Sequence, residues 1–243
     1  MRKVCAKMVP KELTEEQRQR RVTICQDLSK GQDDVLERVI TGDKTWIYRY
    51  DSDKKRQIAQ WKTSSFHNQK FPSVQKRSHQ YYWLFYIREI LHYEFVPTGQ
   101  TVNHVYYMEV LERLLEKVRR KRSEIFANNS WILYHDNAPA HTALPLREVL
   151  TTKQITVLVH PAYSPDIAPN DFFVFPKMKK ILKGRHFDNT DDMRSNTTPA
   201  LKVIPKNQFQ IGFEGWTRRW HCCVASQGEY FEGEHGGIQQ WGA

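Results

Sequence analysis

Three aspartates stand where a strand or a helix start could present a carboxylate: Asp43, Asp136 and Asp171. Asp43 sits inside Val39 to Tyr48, a run rich in β-branched and aromatic residues. A carboxylate inside a strand is uncommon unless it is paired or binds a cation. The plainer reading of Asp43 is a side chain on the wet face of an edge strand. Asp136 ends the stretch WILYHDNAPAH, in which Ile132, Leu133 and Tyr134 run into His135-Asp136-Asn137 before Pro139 breaks the backbone ladder. Asp171 stands in Pro169-Asn170-Asp171, which reads as a helix start, and Asp166 five residues earlier is a rival for its place. Several carboxylates converging on one point make an oxygen-rich site for Mg²⁺ or Mn²⁺. Two such ions about 3.5–4 Å apart can assist both the attacking and the leaving oxygen of an in-line phosphoryl displacement. One shared aspartate and one further aspartate for each ion is the minimum set.

The surrounding elements must bring these residues together. Thr14-Glu15-Glu16-Gln17 is a capping box opening a helix to about Leu28, its Gln17 to Arg21 face read as solvated. Val39 to Tyr48, Tyr81 to Ile87 and Ile90 to Val96 read as three strands, with no good turn signal at Arg88-Glu89. Ser52 to His79 reads as a long polar and basic loop. Asn103 to Ile125 carries an apolar stripe at helical spacing, Val110, Leu111, Leu114, Leu115 and Val118. Ile132 to Tyr134 and Ile155 to Val159 read as two further strands, each ending in polar residues, the edge at which open α/β sheets bind ligands. A helix after Pro169 is expected to carry Lys177, Lys179, Lys180, Lys183 and Arg185. Thr190 to Ile204 is weakly helical, and Phe209, Phe213, Trp216 and Trp220 form a core-facing stripe within Gln208 to Val224. The chain from Gly228 on is glycine-rich and expected to fray. Three strands with hairpin-like links and two crossover strands predict an α/β fold, a ribonuclease-H-like mixed five-stranded sheet with helices on both faces. The expected division is a linker-like helical segment over 1–33, the sheet domain over 34–232 and a flexible tail over 233–243.

Composition narrows the partners. The 243 residues are 40% hydrophobic and 12% aromatic, enough for a packed core. The formal net charge of +10 favours a polyanion, nucleic acid before a membrane surface. Lys54, Lys55, Arg56, Lys76, Arg77, Arg120, Lys121, Arg122, Lys179, Lys180, Lys183 and Arg185 are the candidate phosphate contacts. The basic end of the Asn103 to Ile125 helix could equally complement its dipole. Cys5, Cys25, Cys222 and Cys223 form no CxxC, so free thiols in a reducing, intracellular setting are expected, with His221-Cys222-Cys223 read as packing rather than metal binding. No apolar run approaches the length of a membrane span, and no glycine-rich phosphate loop for an organic cofactor is present.

The segments TGDKTW, VPTGQTVN, HDNAPAHTA, HPAYSPDIAPNDFFVFPKMK and WTRRWHCCVASQGEYFEG, in this order, resemble the catalytic domain of mariner-type transposases. That family carries an Asp-Asp-Asp triad with 34 residues between the second and third members, the spacing of Asp136 and Asp171, so the resemblance selects Asp171 over Asp166 and matches Asp43 to the first position. It implies DNA transposition and integration by a two-metal endonuclease using Mg²⁺ or Mn²⁺, acting on DNA as a homodimer in the nucleus. The family's N-terminal helix-turn-helix units have no counterpart here, and KVCAKMVPKELTEEQRQRR resembles its interdomain linker, with Met8 where Trp is usual. Lys44 stands where the family usually has Glu, and Tyr86-Ile87-Arg88-Glu89 replaces a turn usually reading Asp-Ser-Arg-Gly. With these departures the expectation is a truncated, drifting copy with its metal triad intact. The alternative is an inactive or domesticated remnant that binds DNA non-specifically without catalysis, or a fossil that never folds stably.

Overall fold

The computed structural model describes residues 11–48, 78–182, 185 and 187–231. The candidate contacts Lys54, Lys55, Arg56, Lys76, Arg77 and Lys183, the loop read over Ser52 to His79 as far as Arg77, and the tail over 233–243 lie outside the described residues, while Ser78 and His79 at the end of that loop belong to a strand.

Helix α1 (Glu15–Lys30) begins at the capping box: Thr14 Oγ1 accepts from the Gln17 amide, and Gln17 Oε1 accepts from the Thr14 amide at 3.0 Å. A short α2 (Gln32–Arg38) leads into β1 (Val39–Tyr48), followed by β2 (Ser78–Phe85) and β3 (Ile90–Phe95). Next come α3 (His104–Lys121), α4 (Ser123–Ala127), β4 (Ile132–Tyr134), α5 (Pro139–Thr142), α6 (Leu144–Thr152) and β5 (Thr156–Leu158). Helices α7 (Phe175–Leu182), α8 (Thr190–Lys202) and α9 (Lys206–Ala225) close the chain.

The five strands form one sheet in the order β3-β2-β1-β4-β5. The first three pair antiparallel, while β4 lies parallel to β1 and β5 parallel to β4. This is the mixed, ribonuclease-H-like sheet expected, with helices on both faces. Strand β2 shows why both faces must be covered. Tyr81, Trp83 and Phe85 point into one core, shared with Met178, Phe209, Phe213, Trp216 and Trp220, while Tyr82 and Leu84 point into the other, shared with Val110, Leu111, Leu114 and Val118. The period-2 alternation of a strand splits an aromatic run between two hydrophobic layers.

Several expectations are corrected. Arg21 is fully buried rather than solvated, for reasons given below. Helix α3 stops at Lys121, short of Ile125, because Arg122 leaves helical geometry and buries its guanidinium over the Tyr86 ring, donating to the Glu37 carbonyl. Helix α7 ends at Leu182, so Arg185 lies beyond it. The β2–β3 link lacks turn-forming residues and is closed by the Tyr86 amide donating to the Glu89 carbonyl, with a register shift at Leu84/Phe85 absorbing the mismatch. Of the adjacent thiols Cys223 is buried and Cys222 is exposed. The segment from Gly228 does not fray at its start. Gly228 adopts φ +82°, its amide caps α9 through the Cys223 carbonyl, and a Cβ there would stand 2.3 Å from the Arg18 carbonyl oxygen. No helix among the described residues is long and apolar enough to cross a membrane.

Candidate active site

Strand β1 places Asp43 next to the parallel neighbour β4, whose chain leaves the sheet at Tyr134 and presents Asp136 two residues later. Asp171 comes from a separate element, a π-helical turn over Asn170–Val174 that continues into α7. Asn170 fastens this turn to the sheet: its Nδ2 donates to Thr41 Oγ1 at 3.0 Å, two residues before Asp43, and it is 2% exposed. The three carboxylates thereby line one cavity of about 400 Å³ at the carboxyl ends of β4 and β5, whose walls carry no Lys or Arg side chain.

Their electrostatics follow from that crowding. Burial, then the negative charges of Asp136 and Asp171, push the Asp43 carboxyl well above the usual range. Burial and Asp136 raise Asp171 to about 6. Asp136 behaves in the opposite way. Burial works against its charge, yet the hydrogen bonds from His141 and the Ala138 amide hold it down at about 2. Asp136 is therefore the firmly ionised member, and the other two resist ionisation beside it. Among the described residues no three His, Cys, Asp or Glu side chains converge closely enough as they stand to hold a single ion. Like charges facing one cavity splay until a counter-charge draws them in. The donor set fits a hard divalent cation: three carboxylates, with the buried Asn170 Oδ1 on the same wall lacking a hydrogen-bond partner.

Beneath Asp136 lies a buried layer that sequence reading did not assign. His141 Nδ1 meets Asp136 Oδ1, and its Nε2 lies 3.3 Å from the Tyr82 hydroxyl. Tyr107 pairs with His135 Nδ1 at 2.8 Å, and Tyr134 with His160 Nδ1 at 2.6 Å. Burial pushes His135 down to about 3 and His160 to about 4, so both are neutral. The available signal was the five-residue interval from Asp136 to His141 across Pro139, which starts the helical turn α5 and folds the imidazole back.

Asp166, the rival for the third place, does different work. Its two carboxylate oxygens accept from Arg21 at 2.8 and 2.6 Å, and Arg21 also donates to Ser164 Oγ and the Gly228 carbonyl. This bidentate pair ties α1 to the loop that forms the cavity's rim, where Tyr163 is held at φ +56° by the Tyr230 hydroxyl on its carbonyl. Of the described candidate phosphate contacts, Lys179 is near enough to Asp171 to lower its pKa. Lys180 is exposed beside it on α7, and Arg185 bonds Asn196. Arg120 and Lys121 lie on α3, which packs on the opposite face of the sheet, and Lys121 pairs with Glu89; Arg122 is buried. The structure therefore does not bring the two basic sets together.

Comparison with known proteins agrees with this architecture. Residues 52–194 match the family described as DDE superfamily endonuclease. The chain is 32% identical over 230 residues to the Mariner Mos1 transposase of Drosophila mauritiana, covering 92% of this chain and 66% of that protein. It is 29% identical over 232 residues to the histone-lysine N-methyltransferase SETMAR of Homo sapiens, covering 93% of this chain and 33% of that protein. It thus spans under two thirds of either relative. The crystal structure of the catalytic domain of Mos1 mariner transposase superposes with a TM-score of 0.76 at 31% identity, covering 93% of this chain and 100% of that one. The Mos1 mariner paired end complex with Mn gives 0.83 at 30% identity, covering 96% of this chain and 68% of that one. On sequence and architecture together, the chain belongs to the DDE superfamily of endonucleases, and its likeness to the mariner transposase catalytic domain runs the whole length of that domain.

Proposed function

We infer that this chain cuts DNA phosphodiesters and joins the freed 3′-hydroxyl to target DNA, the chemistry of transposition and integration. The observation that carries the reading is the convergence of Asp43, Asp136 and Asp171 from three separate elements on one cavity. Mg²⁺ or Mn²⁺, two ions in the full reading, would be held by these carboxylates, Asp136 being the one already ionised. When bound, the cation supplies charge that acidifies the attacking water and neutralises the phosphoryl oxygens. The chain's own contribution is positional. Asn170 holds the Asp171 turn against β1, His141 orients Asp136 Oδ1, and the rim tied to Arg21 shapes the entrance. That the similar Mos1 structures are a paired end complex with Mn and catalytic domains with Mg or Mn supports divalent-metal use on DNA. Action as a homodimer in the nucleus belongs to the same reading.

The test is nicking of supercoiled plasmid by the wild type and Asp136→Asn, in Mg²⁺, Mn²⁺ or EDTA. Wild type should nick with either metal and not with EDTA. Asp136→Asn keeps the shape but removes a charged ligand, so cleavage should vanish while DNA binding stays the same or tightens slightly. Equal inactivity of both proteins in both metals, with the fold intact, would leave a DNA-binding remnant and end the enzymatic reading.

A further inference from the structure

A second cavity, of about 450 Å³, lies behind the first and shares its wall: His135, Asn137 and His160 line both. The two differ in charge. The first is lined by three aspartates and no Lys or Arg, whereas the second is lined by Arg20 of α1 and Arg147 of α6 and by no Asp or Glu. Both arginines are exposed, and among the described residues neither guanidinium has a hydrogen-bond or ion-pair partner. Most other arginines of the fold are engaged: Arg21, Arg88, Arg113, Arg119 and Arg122 all pair with carboxylates. Two unpaired guanidiniums lining one cavity, with no carboxylate in its lining to neutralise them, form a ready receptor for a planar or tetrahedral oxyanion. The rest of the lining mixes apolar Leu150, Ile155 and Val157 with polar His135, Asn137 and Thr142. Two guanidiniums together with apolar and hydrogen-bonding side chains in a cavity of this size suit a nucleotide unit better than a bare ion.

We propose that Arg20 and Arg147 form a phosphate-anchoring subsite for the DNA strand whose neighbouring phosphodiester enters the aspartate cavity; this rests on the nuclease reading above. The physical reason is complementary to that reading. Three carboxylates repel a phosphodiester until a cation is bound, so the strand needs an anchor that works without metal. A basic cavity one residue-wide wall away supplies it. Neither arginine belongs to the carboxylate site, and neither is among the basic residues that charge clustering in the sequence singles out. They lie in different helices, 127 residues apart in the chain, and only the fold puts them in the lining of one cavity.

The experiment measures binding of a fluorescein-labelled single-stranded oligonucleotide by anisotropy, in EDTA, across a salt series. It uses the full chain as wild type, Arg20→Gln/Arg147→Gln and a charge-matched control at two exposed lysines outside the candidate phosphate contacts, Lys153→Gln/Lys206→Gln. For single strands each lost phosphate contact lowers the slope of log K against log salt by roughly 0.7, so the arginine pair should lower it by about 1.4 and weaken low-salt binding roughly tenfold. Unchanged slope and affinity would overturn the proposal. So would an equal loss in the lysine control, because the effect would then be diffuse charge rather than a site. Inorganic phosphate and dAMP are titrated as competitors. Competition by either ion that disappears in the arginine variant, with oligonucleotide binding unaltered, would make the site a free-phosphate site and reject the DNA assignment. Because all readings are taken without metal, they are independent of the nicking assay: nicking that depends on Asp136 can stand while this subsite fails, and the reverse.

Discussion

At the scale of single residues, the site depends on one carboxylate being held while two others are left under strain of like charge. His141 is the positioning residue for the held one. It is 2% exposed, it meets Asp136 through Nδ1, and Tyr82 occupies its other nitrogen, so the ring has little freedom to turn. Partners of this kind, one step removed from a metal ligand, typically change metal affinity by about 10–100-fold when removed. We expect His141→Ala to weaken Mn²⁺ binding, followed by calorimetric titration, within that range while leaving the circular dichroism spectrum unchanged. His141→Asn, which can still donate from its amide to Asp136, should recover part of the loss. Equal Mn²⁺ affinity in wild type and His141→Ala would show that the contact does not orient the carboxylate.

At the scale of elements, β3 is one of the sheet's two outer strands, and a polar cluster clamps it to α3. Glu94 accepts two bonds from Arg113 at 2.8 Å, one from the Tyr106 hydroxyl at 3.0 Å and one from His92 at 2.8 Å. Burial opposes the charge on Glu94, but the bonds from His92, Arg113 and Tyr106 outweigh it and hold the carboxyl at about 2. The folded-state value thus lies below the unfolded value of 4.5, so the clamp's stabilisation is fully present above pH 4.5 and is lost as pH falls from there toward 2. Thermal melts between pH 6 and pH 2.5 should therefore show a steeper decline for wild type than for Glu94→Gln, which carries no titrating group there. Parallel declines would mean that the clamp adds nothing to acid sensitivity.

At the scale of the whole molecule, the Arg21–Asp166 pair fastens α1 to the active-site rim and to the segment after α9. The rim is also held by Arg219, which donates to the Asp166 carbonyl, and by Trp216, which donates to the Ile167 carbonyl. Arg21 is fully buried, so removing its partner leaves an uncompensated charge, at a typical cost of about 3–5 kcal/mol. Asp166→Asn is thus expected to lower the unfolding free energy by about that much in urea melts. Arg21→Met/Asp166→Leu should be far less damaging than either single change, since it removes both charges together. A double variant as unstable as the sum of the singles would refute a paired charge as the cause.

The linear order of residues determined the local elements and the candidates for the reactive groups. The Thr14–Gln17 box opens α1, the β-branched and aromatic runs become strands, and the Phe209 to Trp220 stripe faces the core, because capping, alternation and helical period act over a few residues. The 34-residue interval and the motif resemblance pointed to Asp136 and Asp171, and both line the cavity with Asp43. What only the tertiary structure decided is which charges meet. The solvated reading of Arg21 failed because its partner Asp166 is 145 residues away. The uninterrupted helix to Ile125 failed because Arg122 leaves it to bond Glu37, 85 residues earlier. Asp166 could not be separated from Asp171 by position alone, since five residues on a loop can turn either carboxylate inward; the bidentate Arg21 contact turns Asp166 away from that role. Electrostatic pairing in a buried site depends on distance through space, and separation along the chain carries almost no information about it.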